Sequence, residues 1–317
     1  MTVDAKSSNI DLKKLKAAGI IKERGKDLFT IRLRVPGGRL SLPHLKKILD
    51  VAETYGGEFV HLTVRQSFEL IHVPFGNVHD ATEALGIAGQ EVASGGARVR
   101  VPTACGGCEY NPNGLVDTQQ SALEVDAKLF GAETGHHKFK VGFAGCPHDC
   151  LKSATNDVGF QGALLPELDD DACIQCGLCT EACKVSAIIM GEDEKPVYTP
   201  ERCIYCGDCV KVCPSEAWKE GKRGYTVRIG GKWGRNPLIG TVFAKFLPED
   251  RVVDFLSTVL VWYREQAKGL GRIRLGDVII RKGTDNLLDC LKENFQPYIV
   301  ERTLPPQMIY TQIGKQF

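Results

Sequence analysis

From Phe29 the chain alternates. Phe29, Ile31, Leu33 and Val35 are apolar, while Thr30, Arg32 and Arg34 between them are polar. A period of two over seven residues predicts a half-buried strand, and Pro36-Gly37-Gly38 stops it. Ser41 then suits the N-cap of a helix that places Leu45, Ile48, Leu49 and Ala52 on one face and ends at Gly56-Gly57. A second strand is expected through Val60, Leu62 and Val64, a third over 68–73 and a helix over about 78–92. The order strand, helix, strand, strand, helix predicts a small sheet with helices on one face. Further on, Phe139, Val141 and Phe143 alternate with Lys138 and Lys140, so both lysines share one side of a strand. That strand runs directly into Cys146 and Cys150. A helix opened by Asp117 is expected to carry Leu123, Ala127 and Phe130. After Cys150 a short helix and strand fill 151–161, and alternation resumes at Tyr225, Val227 and Ile229. A helix over roughly 249–268, a strand over 275–281 and a last helix over 287–295 complete the pattern. Cys290, set among Leu287, Leu288 and Leu291, reads as a small core residue. Residues 1 to about 25 are polar and Lys-rich, with a short helix-like patch at Leu12, Leu15 and Ile20, and read as an arm.

The densest chemistry lies between the two alternating regions. Residues 173–183 read C-I-Q-C-G-L-C-T-E-A-C and residues 203–214 read C-I-Y-C-G-D-C-V-K-V-C-P. Two copies of C-x2-C-x2-C-x3-C fit two cubane iron–sulfur clusters, with the fourth cysteine of each run serving the other cluster. This assigns Cys173, Cys176, Cys179 and Cys213 to one cluster, and Cys203, Cys206, Cys209 and Cys183 to the other. Structural zinc, the alternative, is usually closed by pairs of cysteines rather than triplets. The block therefore reads as an electron carrier set into a loop of an existing sheet domain.

At 317 residues there is room for two domains. Thirteen cysteines in metal-type spacing point to a reducing, cytoplasmic setting rather than to disulfides. No secretory leader is expected at the start of the sequence, and its most apolar stretch, around 255–263, is too short to cross a bilayer. Forty basic against 39 acidic side chains give no global argument for nucleic acid or an anionic membrane. Arg34, Arg65 and Arg100 sit on or beside strand faces, where a guanidinium is a fixed cation suited to carboxylates or oxyanions.

The ordered set R-L-R-V-P-G-G (32–38), H-L-T-V-R-Q-S-F (61–68), K-F-K-V (138–141), G-C-P-H-D-C (145–150) and I-G-G-K-W-G-R (229–235) resembles the sirohaem-dependent sulfite and nitrite reductase family. The resemblance runs from about residue 27 to 290 and is closest to members carrying a double-cluster ferredoxin insertion. It implies an α+β fold: an arm (1–25), a ferredoxin-like half domain (26–100), a sirohaem/[4Fe-4S] domain (101–165 and 222–317) and an inserted bacterial-type two-cluster ferredoxin domain (166–221). It also implies that Cys150 is a cluster thiolate shared with sirohaem iron and that Cys146 is a cluster ligand. Arg34, Arg100, Lys138 and Lys140 would bind the substrate anion, while Arg65, Lys232 and Arg235 would hold sirohaem carboxylates. The implied activity is the six-electron reduction of sulfite to sulfide, with nitrite reduction the variant within the class. A non-catalytic electron-transfer subunit is the rival outside it.

Two departures matter. The family's first cysteine pair is spaced C-x5-C, but here Asn111 holds the second position, and Cys105 and Cys108 form C-x2-C instead. Either Cys108 replaces the missing ligand, or the coupled cluster is altered or lost, or Cys105, Cys108, Cys146 and Cys150 hold zinc. Larger relatives also contain two copies of the sheet unit and this chain has one, which implies a homodimer or a pseudo-symmetric hetero-oligomer. No flavin or nicotinamide fingerprint is visible, so reducing equivalents are expected from outside the chain, and the resemblance implies partner subunits carrying flavin and further clusters.

Overall fold

The computed structural model describes residues 11–24 and 27–308. Three separate cores organise them.

The first is built on a four-stranded antiparallel sheet. Helix α1 (Leu12–Ala17) leads into strand β1 (Ile20–Lys22), followed by β2 (Leu28–Arg32), helix α2 (Leu42–Tyr55), strands β3 (Val60–Leu62) and β4 (Phe68–Pro74), and helix α3 (Val78–Ile87). The strand order is β1-β2-β4-β3. Ser41 caps α2, its hydroxyl accepting from the His44 N–H at 3.3 Å. Ile48, Val51 and Ala52 of α2, with Val78, Ala81 and Leu85 of α3, cover the sheet. Residues 20–22 are not part of a detached arm. They pair with β2 as an edge strand, and Ile20 joins this core; residues 1–10 lie outside the described residues. The helix expected to reach residue 92 ends at Ile87. Val92 instead bridges Leu33 in an extended segment.

The second core surrounds a five-stranded sheet ordered β12-β10-β7-β6-β5. Its first part comprises β5 (Thr103–Ala104), the short helix α4 (Gly107–Tyr110), α5 (Thr118–Leu129), β6 (Val141–Ala144) and β7 (Val158–Leu168). Asp117 caps α5 by accepting from the Gln120 N–H at 2.9 Å. Phe143 and Phe160 stack at 4.8 Å, and Tyr225 packs on both.

Between β7 and the strand that pairs with it lies the third core. It contains α6 (Leu178–Ala182), the hairpin β8 (Ile188–Met190) and β9 (Pro196–Tyr198), and α7 (Asp208–Val212). Its two halves repeat at an interval of thirty residues. Gln175 and Tyr205 both take positive φ (59° and 60°), as do Gly177 and Gly207 (76° and 74°). Each cysteine loop therefore turns through the left-handed region at equivalent positions, where the glycines are at ease.

The chain returns through β10 (Trp218–Ile229), which pairs antiparallel with β7 along its whole length, from Leu168↔Trp218 to Val158↔Ile229. The cysteine-rich segment is thus carried at the tip of a long two-stranded ladder. Strands β11 (Leu238–Ile239) and β12 (Thr241–Leu247), helices α8 (Val252–Gln266), α9 (Leu275–Lys282) and α10 (Asp285–Phe295), and strand β13 (Gln307–Met308) complete the fold.

Residues 275–281 form a helix, not the expected strand. The β-branched run Val278-Ile279-Ile280 leans toward strand, but Leu275, Val278 and Ile279 are buried at i, i+3 and i+4, which settles the segment as a helix. Asp277 sits in the first turn, and Gly283 closes the helix at φ 84°. Cys290 packs half-buried against this core. Among the described residues no helix is long and apolar enough to cross a membrane.

Candidate anion cavity and cysteine clusters

Where the two sheets meet, a cavity of about 250 Å3 is lined by Arg32, Thr63, Arg65, Ser67, Arg100, Lys138 and Lys140, among others, and none of its lining residues is acidic. The five cations arrive by four routes. Arg32 is the last residue of β2. Arg65 stands in the β3–β4 turn, which Gln66 closes at φ 57°. Arg100 leads into β5, and Lys138 and Lys140 precede β6.

Their tethers explain their orientation. The Arg65 guanidinium donates to Asn156 Oδ1 at 3.0 Å and to the Val101 carbonyl at 2.7 Å. Arg100 donates to the carbonyls of Ser94 and, at 3.0 Å, Gly96, while its buried Nε has no partner among the described residues. Arg32 is held from behind by Glu69, whose Oε1 accepts from Nε at 2.7 Å. Glu69 is itself buried, and its other oxygen meets His61 Nδ1 at 2.8 Å. His61, Glu69 and Arg32 lie directly opposite one another on three adjacent strands. The Lys140 N–H donates to Asp157 Oδ2 at 2.8 Å, and this fully buried carboxylate also binds Arg274 at 2.6 and 2.9 Å.

Gathering cations in a buried space depresses their pKa values. Burial, and then repulsion from neighbouring cations, lowers Arg65 and Arg100 to about 10, so both stay charged at neutral pH. Burial lowers Lys138 as well, with Arg274 and Arg100 adding to it. Lys140 falls to about 7, chiefly through burial, then through Arg65 and Lys138. Such a cavity favours a small anion and carries a lysine able to give up a proton near neutrality.

Arg34 does not line this cavity. Its Nε donates to Asp126 Oδ2 at 2.8 Å, it pairs with Glu91, and it lies 4.0 Å over the Phe130 ring. The sequence placed Arg32 and Arg34 on one strand face, but β2 ends at Arg32 and the chain beyond it turns Arg34 toward α5. Arg32 therefore occupies the position expected of Arg34. Lys232 and Arg235 also stand apart from the cavity: Lys232 Nζ is 2.6 Å from Asp277 Oδ1, and Arg235 is exposed. A larger open groove of about 650 Å3 shares Lys138 and adds His136, His137 and Arg272.

Twelve of the thirteen cysteines, all but Cys290, divide into three sets. Cys203, Cys206, Cys209 and Cys183 line one cavity of about 130 Å3, which also touches Pro147 and His148. Cys173, Cys176, Cys179 and Cys213 line another. In the third set, Cys105 Sγ accepts from the Gly145 N–H at 3.0 Å, immediately before Cys146. Burial raises the Cys146 thiol, and the neighbouring Cys105 and Cys150 add to the shift. The exposed Cys108 sits on α4, its thiol raised by burial and by Asp117 and Glu249. Among the described residues no group of three or more His, Cys, Asp or Glu side chains is drawn together closely enough to hold a single metal ion.

The half of the insert that carries Cys203 is fastened to the main sheet. The Leu164 N–H donates to the Tyr205 carbonyl at 2.9 Å, Lys245 Nζ reaches Tyr205 Oη at 3.1 Å, and Lys211 Nζ reaches the Pro112 carbonyl at 3.0 Å. Sequence reasoning missed Arg32, Glu69, Asp157 and Arg274. Only Arg32 had a visible signal, its place on the same alternating face as Arg34.

A two-sheet α+β body with a basic cavity beside a cysteine turn matches a known class. Residues 95–297 match the family described as nitrite and sulphite reductase 4Fe-4S domain, and residues 20–86 match the nitrite/sulfite reductase ferredoxin-like half domain. The chain belongs to this family of oxidoreductases.

It is 37% identical over 277 residues to the coenzyme F420-dependent sulfite reductase of Methanocaldococcus jannaschii, covering 87% of this chain and 44% of that protein. It is 28% identical to one of the subunits of anaerobic sulfite reductase from Salmonella typhimurium, covering 83% of each. The chain thus spans less than half the length of the first relative. In fold it is similar to dissimilatory sulfite reductase I, with a TM-score of 0.69 at 20% identity over 87% of this chain and 71% of that one.

Proposed function

We propose that this chain is the catalytic subunit of a sirohaem-dependent sulfite reductase, fed with electrons through the 166–221 segment as a two-cluster ferredoxin domain. The observation that carries the reading is the cavity at the junction of the two sheets, lined by five cations and no carboxylate, with an unpartnered buried guanidinium nitrogen on Arg100. Those residues fit a small oxyanion. The adjoining basic groove, with His136, His137 and Arg272, fits the carboxylate rim of a tetrapyrrole.

Sirohaem, when bound, supplies an iron that holds the substrate and passes electrons to it. In this reading Cys150 would give its thiolate to that iron, and Arg65 would hold one of its carboxylates. Cys105, Cys146 and Cys150 ligate the coupled [4Fe-4S] cluster, with Cys108 as the fourth ligand. Arg32, Arg100, Lys138 and Lys140 bind and orient the anion, and Lys140 supplies protons as S–O bonds break. Clusters held by the Cys173 and Cys203 sets would relay electrons toward the Cys146 turn, which adjoins the Cys203 set through Pro147 and His148. Donor proteins carrying flavin or iron–sulfur groups supply them, and a second sheet unit, from a homodimer or a related chain, completes the haem pocket.

The test is an anaerobic absorption spectrum with iron and acid-labile sulfide counts, before and after sulfite, on protein made in cells that synthesise sirohaem. Haem bands that shift with sulfite, with about twelve cluster irons and one haem iron per chain, support the reading. About eight irons and no haem band leave the second reading, an electron-transfer subunit whose catalytic site has decayed, which Asn111 favours. Nitrite in place of sulfite, assayed for turnover, decides between the two substrates. In Cys108→Ser, loss of the coupled cluster's signal with both other clusters retained supports Cys108 as a ligand; an unchanged iron count refutes it.

A further inference from the structure

We infer that the distal face of the 166–221 segment, around Cys173 and Cys176, is the docking surface for the electron donor, and that the donor presents a basic rim around an apolar centre. The inference rests on reading this segment as the electron carrier.

Three observations lead to it. The first is exposed apolar surface. Ile174, Leu178, Ile189, Met190 and Val197 are all 40–63% exposed, although large apolar side chains gathered in a short segment normally find cover. Ile174 and Met190 border the Cys173 set itself.

The second is charge. Residues 166–221 hold twelve acidic and five basic side chains in a chain whose formal net charge is +1. The asymmetry is concentrated in the distal half: residues 166–200 carry eight acidic and two basic side chains, residues 201–221 four and three. Asp170, Asp171, Glu181, Glu192, Asp193 and Glu194 are exposed, and Glu192 to Glu194 form the turn of the β8–β9 hairpin whose strands bear Ile189, Met190 and Val197.

The third is orientation. The Cys203 half is bonded to the main sheet through Tyr205 and Lys211, so the Cys173 half is the one left facing outward. An apolar centre with a one-signed rim suits a transient redox partner of opposite charge. The rim steers encounter, and the centre gives a contact small enough to release quickly.

The test uses the complete holoprotein, reduced photochemically, and oxidised cytochrome c as a basic one-electron probe in stopped flow. The proposal expects electron transfer to slow by at least ~tenfold as ionic strength rises from ~10 to ~300 mM. The triple variant Asp171→Lys, Glu192→Lys, Glu194→Lys should lose a similar factor at low salt. A control with the same charge change elsewhere, Asp50→Lys, Glu53→Lys, Glu58→Lys on the first sheet unit, should keep the wild-type rate. Equal effects of the two triples, or a rate indifferent to salt, overturn the proposal. Iron, sulfide and the reduced-cluster resonance signals are recorded before mixing. Protein without the two insert clusters overturns the underlying reading as well, whereas intact clusters with salt-independent transfer overturn the docking face alone.

Discussion

The pH dependence of anion binding turns on Lys140. Burial, followed by repulsion from Arg65, Lys138 and Arg274, brings its pKa from 10.5 to about 7, and Asp157 offsets only part of this. At that value the side chain is protonated in roughly 90% of molecules at pH 6, about half at pH 7 and roughly 10% at pH 8. An oxyanion favours the charged form. Affinity should therefore be flat below about pH 6 and weaken by up to ~tenfold from pH 6 to pH 8, with ~0.5 proton taken up per anion at pH 7 and ~0.9 at pH 8. Sulfate suits the measurement because it does not itself titrate in this range. Calorimetric titrations in two buffers of different ionisation heat give the proton uptake directly. Lys140→Met should remove most of the uptake and most of the slope, leaving weaker binding carried by the arginines. Equal uptake and an equal slope in wild type and variant would refute the assignment.

Four further outcomes follow from the geometry. Glu69→Gln should loosen Arg32 and weaken sulfate binding by ~1–2 kcal/mol in the same calorimetric assay. Arg34→Ala should leave that affinity within about twofold of wild type while lowering the midpoint of thermal unfolding, because its partners are Asp126 and Glu91 rather than the cavity. Asp157→Asn strips the buried Arg274 of its counter-charge and should cost roughly 3–5 kcal/mol of stability, read as a shift in denaturation midpoint. Gly162→Ala should cost iron at the cluster proposed for the Cys146 turn, measured by iron count, since an added Cβ would lie 2.2 Å from the Gly145 carbonyl oxygen and force the turn bearing Cys146 to shift.

Much of the fold was legible because its signals are local. Alternation marked β2, β3, β6 and β10, a serine marked the start of α2, and the cysteine spacing paired residues into sets that line two separate cavities. The errors came where a local pattern has two solutions. A run such as Val278-Ile279-Ile280 reads as strand or helix until its burial is known, and R-L-R-V gives no sign that the strand stops at Arg32. The groups that position the cations were invisible for a different reason. Asp157 and Arg274 are 117 residues apart and Arg65 and Asn156 are 91 apart; each pair exists only because β7, α9 and the first sheet are brought together.

How the cavity keeps its charge is set by what each cation is bonded to. A carboxylate facing inward would steady an arginine but cancel the potential that an anion needs. Arg65 and Arg100 are instead steadied by neutral oxygens, the Asn156 amide and the Val101, Ser94 and Gly96 carbonyls. Where a carboxylate is used, it stands behind the cation or behind the strand. Glu69 grips Arg32 on the side away from the cavity lining, and Asp157 takes the backbone N–H of Lys140 and the side chain of Arg274, leaving the Lys140 ammonium without an ion pair among the described residues. The cost of this arrangement appears as the depressed pKa values of Arg65, Arg100 and Lys140. A bound oxyanion would relieve that strain, so the same repulsion that burdens the empty site becomes affinity and proton uptake when the site is filled.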